Sequence, residues 1–116
     1  MSIIPKTVGE LSMDKLYIVV RSDISPGLKC AQACHAMRAF QNTHPEVERE
    51  WYETSNNIAI LEAPYEELLR LIRMANSKEI PCELFNEEDM DGALTAAAFA
   101  PKAKRLLSKC KLALAS

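Results

Sequence analysis

Short unbroken apolar runs alternate along the chain with longer stretches of helical period. Leu16 to Val20 (LYIVV) is such a run, β-branched and uninterrupted, as in a strand covered on both faces. Ile58 to Leu61 predicts a second strand. Ile80 to Phe85 predicts a third, with a proline tolerated at its edge position. Ala93 to Phe99, made of small residues, predicts a fourth. Between the first two, Ser25-Pro26 supplies an N-cap and a first-turn proline, so a helix should run to Gln41 or Asn42. Thr43-His44-Pro45 breaks it, because the residue before proline avoids the α region. Glu46 to Thr54 reads as a second, acidic helix carrying Trp51 and Tyr52. Ala63 to Ser77 reads as a third, with Leu68, Leu69, Leu71, Ile72 and Met74 on its apolar side and a Glu66–Arg70 pair outside. NEEDMDG, residues 86–92, reads as a loop, and Pro101 opens a last helix or turn.

Alternating strands and helices define an α/β protein. At 116 residues the expectation is one domain, residues 15–116, preceded by an irregular leader over 1–14. Strands one and two are joined through helices and should be parallel. The seven-residue loop between strands three and four is too short for a parallel crossover, so as neighbours they would be antiparallel and the sheet mixed. Gly9, Gly27 and Gly92 are the only glycines, and neither a Walker loop nor G-x-G-x-x-G can be written from them. No apolar run approaches the roughly 20 residues that span a bilayer, and the N-terminus lacks a secretory core. A cytoplasmic protein without membrane contact is expected.

Candidate chemistry concentrates in Ser25 to Phe40, SPGLKCAQACHAMRAF. Cys30 and Cys34 lie one turn apart with His35 adjacent, but a closed zinc site needs four ligands and His44 falls beyond the helix. A nucleophilic cysteine would need a depressed pKa and an aligned base. The cysteines read by default as reduced, small apolar residues, and no metal is expected. Gln32 and His35, three residues apart, share a helix side with Leu28 and Ala39. Two readings stay open: a buried amide and imidazole satisfying backbone groups at a helix–sheet seam, or a polar pair at the mouth of a cleft beyond the first strand's C-terminal end, where open α/β sheets bind ligands. Charge adds a direction. Net charge is only −2, but acids dominate from Glu46 to Asp91, whereas Lys102, Lys104, Arg105, Lys109 and Lys111 meet no acid after Pro101. Such asymmetry suits a polyanionic partner, or else a solvated lysine-rich end.

KLYIVVRSD, a turn with glycine, and AQACHA together resemble the opening of the archaeal and eukaryotic type of peptidyl-tRNA hydrolase. That opening is a strand ending in R-x-D and a G-K-x-A-A-Q-x-x-H-A helix. NNIAILEAPYEELLRLIRMANSKEIPCELF, LTAAAFAP and CKLAL resemble later parts of the same family, at lower specificity. The resemblance implies a four-stranded mixed sheet with helices on both faces, in a single three-layer domain. It implies cleavage of the ester between a peptide and the terminal ribose of tRNA, with no cofactor, in a family that often forms homodimers. By residue match, His35, Gln32, Asp23 and Thr95 become the candidate catalytic set, and Arg21, Lys29 and Arg38 candidates for holding the substrate. Gly27 and Ala36 also fall on signature positions.

Water attack on an ester needs a base or water-positioner, an oxyanion donor and cations for the tRNA backbone. His35 could take the proton, Gln32 could donate to the oxyanion or hold the substrate amide, and Asp23 could orient a cation or a water. Two departures from the family pattern stand out. Leu28 follows the glycine where the family has lysine, and Lys29 comes one residue, about 100°, later. The family's D-x-G-x-T-Q-like loop is replaced by the shorter, acidic NEEDMDG, in which Glu87 is the nearest match to the aspartate. The alternative function is therefore a catalytically degenerate homologue that binds tRNA or a protein.

Overall fold

The computed structural model describes residues 15–115; the expected leader over 1–14 lies outside the described residues. Strand β1 (Lys15–Arg21) is followed by helices α1 (Pro26–Thr43) and α2 (Pro45–Thr54), strand β2 (Asn57–Ala63), helix α3 (Tyr65–Ser77), strands β3 (Cys82–Glu87) and β4 (Ala93–Phe99), and a short β5 (Lys111–Leu112). The sheet order is β3-β4-β1-β2-β5. β1 and β2 are parallel and every other pairing is antiparallel. The loop lengths anticipated this mixture. The sheet has five strands rather than the expected four, because KLALA contributes two residues that pair with Leu61 and Glu62 on β2. Two exposed residues carry no strand pattern of their own.

Local chemistry sets the boundaries. The Ser25 hydroxyl accepts from the Leu28 N–H at 3.3 Å, and Pro26 occupies the first turn of α1. His44 closes α1 with its N–H on the Phe40 carbonyl, and Pro45 starts α2. Trp51 anchors α2, buried and donating its indole N–H to the Asn57 carbonyl at 2.7 Å. In α3, Glu66 and Glu67 favour the positive N-terminal end. Arg70 pairs with Glu67 at 2.6 Å, not with Glu66 as expected: both spacings face one another on a helix.

The core lies where the sequence offers its smallest residues. Ala96, Ala97 and Ala98 of β4 sit beside Val20, Val19 and Ile18 of β1, all buried. Burial of consecutive residues means that both sheet faces are covered: α1 packs on β1, β3 and β4, as does α3. The buried stripe of α1 is Lys29, Gln32, Ala33, Ala36 and Phe40. Ala33 and Ala36 let the helix approach the sheet closely, and Phe40 fills the space at its end.

Candidate active site

One row of side chains explains the arrangement. Phe85, Ala96, Val20 and Glu62 are paired laterally across β3, β4, β1 and β2, so all four point to one face. α1 covers that row. His35 stacks on the Phe85 ring at one end, with centroids 4.6 Å apart and planes 13° from parallel. Lys29 reaches Glu62 at the other, Nζ to Oε1 at 2.9 Å. Gln32 lies between them, completely buried.

Thr95 joins this face through an irregularity. Phe85 pairs with Ala96 and Asn86 with Leu94, so Thr95 is an extra residue on β4 with no opposite number. In a regular strand Thr95 would point away from α1, because its neighbour Ala96 points toward it. The bulge turns it back. Its hydroxyl donates to Gln32 Oε1 at 2.5 Å, and Gln32 Nε2 donates to Glu87 Oε1 at 2.8 Å. A hydroxyl, a buried amide and a carboxylate therefore form a directed chain in which the orientation of the amide is fixed by its partners. Glu87 sits at the surface end. The turn that follows, with Asp91 and Gly92 both at positive φ, folds back so that the Asp89 N–H meets Glu87 Oε2 at 3.3 Å. The Gln32 hydrogen bond, then the Asp89 N–H, holds the Glu87 carboxyl below its ordinary range, with a smaller contribution from the nearby His35 charge. His35 itself is exposed.

Gln32, His35 and Thr95 are thus brought together, and Asp23 and Arg21 are not part of their cluster. Arg21 holds Asp23 bidentately, Nε to Oδ1 at 2.9 Å and Nη2 to Oδ2 at 2.7 Å. That contact lowers the Asp23 carboxyl and raises the Arg21 guanidinium. Arg21 also donates to the Leu94 carbonyl at 3.3 Å and lies 5.3 Å over the Tyr65 ring at the start of α3. Lys29, a candidate for holding the substrate, is neutralised by Glu62. Arg38 is exposed on α1. Gly27 has open space where a Cβ would stand, so nothing in the fold demands glycine there.

Of the two open readings, Gln32 follows the first: it is buried in the helix–sheet seam, and only Glu87 and His35 carry the cluster outward. The cavity of about 810 Å³ beyond the ends of β1 and β2 opens on the α3 side, and none of Gln32, His35, Thr95 or Glu87 lines it. Cys30 and Cys34 are exposed, and no group of three potential metal ligands forms among the described residues. Phe85 and Glu62 were absent from the sequence candidates. Glu87 could be found only by its match to the family aspartate.

Comparison with known proteins agrees with the architecture. A solved structure of a protein of unknown function from Agrobacterium tumefaciens strain C58 is similar over 84% of this chain and 96% of that one, with a TM-score of 0.66 and 12% identity. That likeness concerns the fold alone. No curated protein sequence matches the chain. The family described as peptidyl-tRNA hydrolase PTH2 matches residues 14–115. The chain belongs to this family of hydrolases acting on ester bonds. Among the described residues, no helix is long and apolar enough to cross a membrane.

Proposed function

We propose that the protein hydrolyses the ester linking a peptide to the acceptor end of tRNA, with His35 and Glu87 at the reacting centre. The observation that carries this reading is the chain Thr95–Gln32–Glu87 ending beside an exposed imidazole. An ionised carboxylate and a histidine together can hold a water and take its proton as it attacks the ester carbonyl. Phe85 fixes the imidazole plane by stacking. Gln32 and Thr95 do not touch substrate in this scheme; they aim Glu87 and keep it charged. Asp23 acts one step back, locking Arg21. Arg21 and Arg38 supply charge for phosphates.

Purified protein should then release peptide from an N-acylaminoacyl-tRNA, and His35→Ala should slow release at least about tenfold, a threshold set below the usual general-base contribution of roughly 100- to 10,000-fold. Unchanged turnover removes His35 from the reaction. A second reading, a non-catalytic module that binds tRNA or a protein, is favoured by one observation: Leu28 stands in the position of the family lysine, and Lys29 is bound to Glu62 instead. It predicts no turnover with saturable binding. A logarithmic fall of tRNA affinity with salt identifies phosphate contacts, and a flat response points to a protein partner.

A further inference from the structure

The cavity of about 810 Å³ between α3 and the segment after Pro101 shares no residue with the His35–Glu87 cluster. Its volume falls within the range of small-molecule sites, roughly 300–1,000 Å³. Six cations line it: Arg70, Lys78, Lys102, Arg105, Lys109 and Lys111. Its two acids are already engaged, Glu62 by Lys29 and Glu67 by Arg70. Among the described residues no ion pair reaches Lys78, Lys102, Arg105, Lys109 or Lys111. The opposite requirement is present in the same wall: Met74, Ile80 and Leu106 give it an apolar part. Concave walls of one charge sign focus the field and concentrate an oppositely charged ligand. An inorganic anion would leave the apolar part unused, and a fatty chain would leave five cations unanswered.

We propose that this cavity binds a phosphorylated nucleoside, its phosphates among Lys102, Arg105, Lys109 and Lys111 and its ring against Met74, Ile80 and Leu106. No glycine-rich loop is needed, since side-chain cations replace the backbone cradle. The same chemistry is carried by a free nucleotide and by the terminal nucleotide of an RNA. The site goes beyond the hydrolase reading and does not depend on it.

Calorimetric titration of the full chain at low salt, with ATP, AMP, pyrophosphate and a short RNA ending in CCA, tests the proposal. ATP should bind saturably and weaken with added salt, and pyrophosphate should bind at least about tenfold more weakly than ATP. The double variant Arg105→Glu/Lys109→Glu should lose at least about tenfold in ATP affinity with an unchanged thermal melt. Arg105→Gln alone serves if the double variant does not fold, with a smaller loss. Tighter capture of the RNA than of ATP assigns the nucleotide to an RNA end, and the reverse assigns it to a free nucleotide. Absence of saturable ATP binding, ATP affinity indifferent to both variants, or equal affinity for pyrophosphate and ATP overturns the proposal. A His35→Ala protein should bind ATP normally, so failure of hydrolysis and failure of this site are read separately.

Discussion

Thr95→Val isolates the buried hydroxyl at almost constant shape. Valine keeps the branched outline and removes one donor. Gln32 Oε1, fully buried, then loses the hydroxyl that meets it at 2.5 Å. A buried acceptor without a partner costs about 1–3 kcal/mol, whereas a typical satisfied hydrogen bond contributes only about 1 kcal/mol net. The loss expected is about 2 kcal/mol, which for a chain this short lowers the melting temperature by roughly 8 °C. Urea denaturation should show the midpoint falling with an unchanged slope, since the surface exposed on unfolding stays the same. Gln32→Met, close in shape, removes the orphaned amide as well. Adding Thr95→Val to a Gln32→Met background should therefore cost about 1 kcal/mol less than Thr95→Val alone, a coupling visible in a double-mutant cycle. Additive effects within about 0.5 kcal/mol, or a Thr95→Val protein as stable as the parent, would show that the hydroxyl and the amide do not depend on one another.

The remaining predictions concern the surface end of the cluster and the thiols. The folded Glu87 carboxyl titrates below its ordinary value of 4.5, so its contribution to stability is complete above that pH and is lost as pH falls through the depressed value. Glu87→Gln should flatten this acid limb in a series of melts between pH 3 and 6; an unaltered limb removes Glu87 as its source. Burial pushes the Cys82 thiol up to about 12, so at pH 7.5 iodoacetamide should label exposed Cys30 and Cys34 and spare Cys82, read by peptide mass spectrometry. Gly27→Ala, in the first turn of α1 with free space for the methyl group, should raise stability by about 0.5–1 kcal/mol in urea denaturation; a loss instead would mean that the helix start is strained.

Most of the fold was legible because its boundaries are written in residues with strong local chemistry. Ser25-Pro26, His44-Pro45 and Pro101 mark starts and stops that any packing must respect. The unbroken LYIVV run reads as a strand covered on both faces, and β1 is the middle strand of the sheet. β5 was not legible. Leu112 is exposed, and its strand state rests on two lateral partners and the Ala113 N–H donated to Ile60, which no local pattern announces. The Arg70 pairing shows a different limit: spacing offered Glu66 and Glu67 alike, and side-chain geometry chose.

Of the sequence candidates, Gln32, His35 and Thr95 come together while Asp23 and Arg21 stand apart; that geometry was not legible, and the bulge explains why. β4 reads ALTAAAF, with alanine on both faces, so its alternation carries no information about which way Thr95 points. One additional residue in the β4 register reverses the answer and gives Gln32 a hydroxyl partner. Once that donor is in place, the Gln32 oxygen is occupied and its nitrogen is left to Glu87, so the acidic loop is drawn to α1 rather than repelled from the site. The same logic fixes Lys29. With Leu28 in the family's lysine position, the cation lies about 100° further round the helix, where Glu62 at the end of the lateral row receives it. The α1 face is thereby left with a carboxylate, an imidazole and the exposed Arg38 as its outward chemistry, and the larger group of unpaired cations lines the cavity on the α3 side. A polyanionic substrate approaching this chain is attracted first to the α3 side and the C-terminal segment.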